Sequence, residues 1–504
     1  MLTIPRVLVA SVILSFCVIG LATAQPTPAP NWMMTGGKDY AQLGFQVASA
    51  GDVDGDGFAD FLIGAPFYDS NIGGPGRAFL VRGSRQGPSV NDIAQWSITG
   101  ETSSGELGFA VAGAGDRNGD GFADFAIGAP QDGASGAGRV LVFLGSPSGP
   151  GVVASAVLDS DQRGSGFGNA LAGAGDVNGD GYDDLIVGQP YYMKLVTDPY
   201  PRRVPQGRVL IYLGGASGLS TTPAMILEPE TFNSNFGFSV AGVGDLNGDG
   251  RDDIVVGAPM YDNGADATDN SGKIYVYLGN SNGVEAEPAW SAIGPKKHSL
   301  FGGSVAGAGD VNGDGFRDVV VGARTWSSVI NAGGGESDEG LVEVFLGSAS
   351  GLGASPAWMV PGPVSGSNFG ISVAGGVDVN GDGFSDVLVG APGVAHGEYD
   401  EGQVMLFYGS ATSLATTPGW VAESNQPSGK FGLSVAFAGD VDGDGLGDIL
   451  LGTESYHDNF LMDGSAFLYS GASVVPVTGL PRRRGVSPRL RENASPLRAR
   501  PTVE

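Results

Sequence analysis

The chain is almost without cysteine and histidine. Its one cysteine, Cys17, lies inside an apolar N-terminal run, which excludes an internal disulfide framework in the remainder. Three histidines, His298, His396 and His457, offer little for a zinc centre or for acid-base catalysis, and His457-Asp458 is the one suggestive polar pair. Basic residues are also scarce: 26 Lys+Arg stand against 54 Asp+Glu, for a formal charge of −28. That balance argues against nucleic acid or anionic lipid as a main partner and points to cations. What is abundant is glycine, 88 of 504 residues, beside 41% hydrophobic residues with 24 Phe, 14 Tyr and 6 Trp. So much apolar material excludes a disordered chain, and the absence of a three-residue glycine period excludes collagen. An interior glycine costs a helix about 1 kcal/mol relative to alanine, so a helical bundle is disfavoured and turn-rich β-structure expected.

The two ends differ from the middle. Residues 1–24 carry Arg6, an apolar stretch from Val7 to Leu21 and Ala22-Thr23-Ala24, the layout of a signal peptide, followed by a linker at 25–30. No later segment is apolar enough to span a bilayer. Residues 472–504 hold Arg482, Arg483, Arg484, Arg489, Arg491, Arg498 and Arg500 with almost no aromatics, and read as a disordered basic tail.

Between them, 31–471 is internally repetitive. The pattern Gly-Asp-x-Asp/Asn-Gly-Asp-Gly-x-x-Asp recurs seven times, beginning at Asp52, Asp116, Asp176, Asp245, Asp310, Asp378 and Asp440; only the sixth copy varies the opening, with Val377 for Gly. Nine residues before each stands Phe or Leu followed by Gly: Leu43, Leu107, Phe167, Phe236, Phe301, Phe369 and Phe431. Eleven residues earlier again come Trp32, Trp96, Ala156, Met225, Trp290, Trp358 and Trp420. After each Asp loop an apolar run ends in Gly-Ala-Pro or a variant, with Gly322-Ala323-Arg324 and Gly452-Thr453-Glu454 as the departures.

Each unit therefore reads as four short strands, A to D, the first rich in small residues and the last carrying the Trp position. Radial repetition of such units makes an all-β, seven-bladed propeller, whose innermost strands crowd the axis and need small side chains. The last repeat lacks a Trp-bearing strand after Gly471, and Asn31 to Gly36 stands unclaimed in the matching register. The N-terminal strand is thus expected to complete blade seven and close the ring.

The Asp loops carry the chemistry. Positions 1, 3, 5 and 9 hold oxygen side chains, glycines at 4 and 6 allow the tight turn, and the carbonyl at 7 adds another oxygen. The ligand sets are Asp52, Asp54, Asp56 and Asp60 with Phe58; Asp116, Asn118, Asp120 and Asp124 with Phe122; Asp176, Asn178, Asp180 and Asp184 with Tyr182; Asp245, Asn247, Asp249 and Asp253 with Arg251. The remaining three are Asp310, Asn312, Asp314 and Asp318 with Phe316; Asp378, Asn380, Asp382 and Asp386 with Phe384; Asp440, Asp442, Asp444 and Asp448 with Leu446. Many oxygens and no nitrogen or sulfur suit calcium, about seven ions, in the cross-linking role that disulfides cannot fill here.

Phe-Gly, the Asp loop and Gly-Ala-Pro in one unit resemble the FG-GAP repeat, the blade of the integrin α-subunit N-terminal propeller. The resemblance covers 31–471 and implies calcium in the A-to-B hairpins on a lower face and ligand contacts mainly on the upper. It departs from integrins in having all seven loops filled. The function expected is a secreted or cell-surface binding or adhesion module with an extracellular protein or glycan ligand. An extracellular propeller enzyme, a glycan lyase or hydrolase, and a structural repeat of a surface assembly are the alternatives. Two residues past each Pro position the B-to-C loops present Tyr68, Asp132, Tyr192, Tyr261, Trp326, Val394 and Tyr456. The five aromatic ones are candidate ligand contacts, with packing against the neighbouring blade as the other reading.

Overall fold

The computed structural model describes residues 29–474 except 70–73, 89–95, 134, 198–199, 265–268, 329–336 and 457–461. The signal-peptide reading, His457-Asp458 and all but the first residues of the basic tail lie outside the described residues.

Seven antiparallel sheets of four strands make up the body. The inner strands are Val47–Gly51, Ala110–Gly115, Ala170–Gly175, Ser239–Gly244, Ser304–Gly309, Val373–Val377 and Ser434–Gly439. They pack on one another in cyclic order, with the seventh against the first. Ala and Gly dominate them because seven strands converge on one axis: a Cβ added to Gly113 would lie 2.6 Å from the Ser49 carbonyl oxygen of the neighbouring blade. Every second strand, from Asp60–Ala65 to Asp448–Thr453, is buried along its whole length, which explains its unbroken apolar character. The third strands run from Arg77–Val81 to Ser465–Tyr469 and the fourth from Ser97–Thr99 to Trp420–Glu423. In the seventh sheet the outermost strand is Trp32–Thr35, with Trp32 opposite Leu468 and Thr35 opposite Ser465.

The core is seven clusters, each shared by two adjacent blades. The Phe or Leu of each Phe-Gly pair is at most 1% exposed and stands between blades; Phe236, for example, bridges to Gly207 of the preceding one. Trp at the fourth-strand position meets phenyl rings edge-on, as Trp96 does Phe125 at 5.2 Å and Trp32 does Phe61 at 5.3 Å.

Among the described residues two hairpins lie outside the four-strand plan, Met193–Val196 with Arg202–Pro205 and Gly279–Asn280 with Gly283–Val284. Folded structure also runs past the expected boundary at Gly471. Gly471–Val474 form a helical turn, and Val474 is 2% exposed with its carbonyl accepting from Tyr408 Oη at 2.6 Å. No helix of the described residues is long and apolar enough to cross a membrane.

Candidate cation loops and the opposite face

All seven Asp loops sit between the first and second strands, hence at one end of the ring. Each is entered through a β-bulge, such as the shift between Gly242 and Gly244, which turns the chain out of the sheet before the first aspartate. That aspartate organises the loop: Asp245 accepts N–H bonds from Gly248 at 2.6 Å, Asp249 at 3.1 Å and Gly250 at 2.8 Å. The position-nine aspartate anchors it. Asp253 is fully buried and accepts from the Leu246 and Gly279 backbone N–H groups at 2.9 and 2.8 Å, which ties the loop to the end of the third strand. The same pair of bonds recurs at Asp60, Asp124, Asp184, Asp318, Asp386 and Asp448. Burial pushes these carboxyls up, to about 7 at Asp60, Asp184, Asp253, Asp386 and Asp448 and about 6 at Asp124 and Asp318, against the pull of their backbone donors.

The donor set fits a hard divalent cation. In loops one and seven Asp52, Asp54 and Asp60, and likewise Asp440, Asp442 and Asp448, bring one carboxylate oxygen each within 4.8 Å of one another. The other five carry Asn at position three, whose amide donates to the position-five carboxylate, 2.9 Å from Asn118 to Asp120. The position-seven carbonyls accept no hydrogen bond among the described residues, which leaves their lone pairs free.

Neighbouring loops are linked. Ala59 N–H donates to the Asp440 carbonyl at 2.9 Å, Ala123 to Asp52 at 3.0 Å, Asp183 to Asp116 at 3.2 Å, Asp252 to Asp176 at 3.1 Å and Ser385 to Asp310 at 2.9 Å. The position-seven side chain covers the preceding loop as well. Gly55 has φ +72°, and a Cβ there would meet the Phe122 ring at 2.6 Å, so backbone conformation and the neighbour's ring both require glycine.

At the other end of the ring, about 20 Å along six-residue strands, lies an axial cavity of about 460 Å³. Every blade contributes to it, and the residue after each Phe-Gly pair forms its rim: Phe45, Phe109, Asn169, Phe238, Gly303, Ile371 and Leu433. Arg324 and Glu454, which replace proline in Gly-Ala-Pro, line it together with Tyr191. Arg324 makes no hydrogen bond or ion pair among the described residues, and burial lowers its pKa, whereas Glu454 pairs with Lys430 at 3.3 Å. These residues were missed in the sequence, although one signal was there: the fixed place after Phe-Gly is apolar in five of the seven copies.

The five aromatic candidates stand at this same end, half-buried. Tyr68 and Tyr456 meet Phe79 and Phe467 edge-on at 5.7 and 5.2 Å. Among the described residues cations lie over Tyr68, Tyr192, Tyr261 and Trp326: Lys38, Arg208 at 3.9 Å, Lys273 and Lys296 respectively. Val394 and Asp132 are buried, the latter accepting from Thr102 Oγ1 at 2.6 Å. One Gly-x-Ser-x-Gly sequence, Gly279 to Gly283, forms a hairpin turn with Ser281 exposed and no helix behind it, unlike a nucleophile elbow.

Comparison with known proteins agrees with this architecture. The FG-GAP repeat matches 44–81, 107–143, 167–212, 236–277, 301–340 and 369–407, six of the seven blades. Integrin alpha-8 of Gallus gallus is 31% identical over 310 residues, 56% of this chain and 28% of that protein. Integrin alpha-IIb of Mus musculus is 44% identical over 165 residues, 32% of this chain and 16% of its own length, and integrin alpha-PS2 of Drosophila melanogaster 40% over 170, 31% and 12%. The chain thus spans less than a third of the curated relatives it matches.

Proposed function

We propose, from the premise that this chain is an FG-GAP repeat protein homologous to the N-terminal regions of integrin α-subunits, that it is an exported, calcium-loaded binding module. It recognises an extracellular protein or glycan on the face opposite its cation loops. The observation that carries this reading is the division of labour between the two ends. One end is given over to seven all-oxygen loops, joined by backbone bonds at five of the seven junctions; the other gathers an axial cavity and aromatic rings covered by Lys and Arg. The cations suit acidic groups on a protein or glycan, and the rings beneath them add amphipathic surface. Calcium holds the loops, Asp or Asn at positions one, three and five and Asp at nine serving as ligands, while Tyr68, Tyr192, Tyr261, Trp326 and Tyr456 contact the ligand. An array of matrix proteins and glycans probed with the mature chain, with calcium and with chelator, tests the reading. Calcium-dependent capture of a ligand supports it, and a calcium-loaded chain that captures none on any array refutes it.

A further inference from the structure

Blade six brings together three residues that belong to no cation loop. His396 stands in the loop between the second and third strands, Glu401 directly precedes Gly402 and the third strand, and Glu423 ends the fourth, where the register sets it opposite Gln403. Each offers one ligand atom, and the three atoms lie within 4.8 Å of one another. His396 Nδ1 is 3.3 Å from Glu423 Oε2, and the His396 backbone N–H donates to Glu401 Oε1 at 2.5 Å. Glu401 is 1% exposed, yet that N–H is the one donor to its carboxylate among the described residues. Glu423, with its side chain 13% exposed, has only a long 3.4 Å contact from Gln403 Nε2 besides the imidazole. No Lys or Arg among the described residues pairs with either glutamate, and the nearby Lys430 is taken by Glu454 at 3.3 Å.

Two carboxylates so withdrawn from water and so poorly supplied with donors are placed to hold a cation between them. The 3.3 Å from Nδ1 to Oε2 is longer than the 2.7–2.9 Å of a charge-assisted hydrogen bond. It equals the ~3.3 Å edge of a tetrahedron built on bonds of about 2.0–2.1 Å. The cradle is held from behind: the Glu401 carbonyl accepts from Ser424 Oγ at 2.6 Å and from the Phe431 N–H at 3.0 Å. The imidazole, 60% exposed, leaves the site open to solvent. One nitrogen among the donors sets it apart from the all-oxygen loops and favours a zinc-class ion over calcium.

We propose that His396, Glu401 and Glu423 form a binding site for one zinc-class transition-metal ion, with water completing its coordination. The inference is independent of the ligand face. It is tested on the whole mature chain held in saturating calcium, titrated with Zn²⁺ by calorimetry and with Co²⁺ by visible absorption. One equivalent should bind, and His396→Ala and Glu423→Gln should each weaken it tenfold or more and remove the Co²⁺ band. Because the His396 ring is mostly exposed, H396A should keep the calcium content and melting temperature of the parent, separating loss of a ligand from loss of fold. A parent chain that takes up no Zn²⁺ in excess calcium, or an H396A chain that binds it as tightly as the parent, overturns the proposal.

Discussion

Asp442→Asn should stabilise the metal-free chain and shrink the stabilisation that calcium adds. The substitution is conservative for this fold, since five of the seven loops already carry Asn at position three. In the parent, Asp442 places a carboxylate oxygen within 4.8 Å of oxygens of both Asp440 and Asp448, and burial followed by the charge of Asp444 raises its pKa. Two charges at that separation repel by roughly 1 kcal/mol in water and about 3.5 at an effective dielectric of 20. Asp442 is only half-buried, so the water limit applies more closely and the two pairs together amount to about 2 kcal/mol, less with screening by salt. A raised folded-state pKa means the ionised carboxylate opposes folding once the pH exceeds its unfolded value, so at pH 7.5 the metal-free D442N chain should be the more stable. In calcium the same change removes an anionic ligand and should weaken that site about tenfold, or 1.4 kcal/mol. Calorimetric melting in EGTA and in excess calcium separates the two effects. The expected result is a melting temperature a few degrees above the parent in EGTA and a smaller gain from calcium. If D442N melts below the parent in EGTA, the loops are not strained by their own charge and the account of calcium as their counter-ion is wrong.

Chelation of the parent chain should lower its melting temperature by 10 °C or more, with 0.5 M NaCl recovering part of the loss, and metal analysis should find about seven calcium ions at saturation. Deleting residues 25–37 removes Trp32 and the outermost strand of blade seven; the exposed edge should give early melting and aggregation by size-exclusion chromatography. Glu343, 4% exposed with burial raising its carboxyl to about 7, holds its proton more tightly folded than unfolded, so it costs stability as pH rises from about 4.5 through 7. Glu343→Gln, measured in calcium, should therefore gain on the parent between pH 5 and pH 8 by up to about 3 kcal/mol. Changing Tyr192, Tyr261 and Trp326 together to Ala should abolish ligand capture while leaving calcium content intact; lost stability with unchanged affinity would instead assign the rings to rim packing.

Features that recur at a fixed spacing, the place of the Trp32 strand among them, were legible before the structure, and those confined to one blade were not. Seven Asp loops, the buried Phe of Phe-Gly and the small inner strands each obey a requirement that acts at the same place in every copy, so spacing alone exposed them. The hairpin Met193–Val196 with Arg202–Pro205 had only indirect notice, in the long interval between Asp176 and Asp245, because its strands are largely exposed and lack an apolar alternation. His396, Glu401 and Glu423 could not be grouped from sequence at all. Their meeting depends on Gln403 pairing with Glu423, and shifting that register by one residue would send Glu423 to the other face of the sheet. The end of the folded body was set too early because Val474 is held by Tyr408 of blade six, a contact no local pattern announces.

The loop linkages bear on how the cations act. A calcium ion held by one blade alone would stiffen one hairpin and leave the junctions between blades to apolar packing. Here each position-eight N–H that reaches the preceding loop takes the carbonyl of its first ligand aspartate, as Ala123 does with Asp52 at 3.0 Å. The residue beside it, at position seven, would turn a carbonyl toward a cation in its own loop and sets its side chain over its neighbour's glycine, as Phe122 does over Gly55. Ordering one loop therefore positions a donor and a ring for the next, and the bond from Ala59 to Asp440 carries the chain of contacts across the junction between blades seven and one. Metal binding should accordingly be cooperative between adjacent blades, since the first ion reduces the ordering cost for the second. In a chain whose one cysteine lies in its N-terminal apolar run, such a belt, once loaded with the proposed cations, would do for the lower rim what disulfides do elsewhere, and would leave the opposite loops free to vary for the proposed binding.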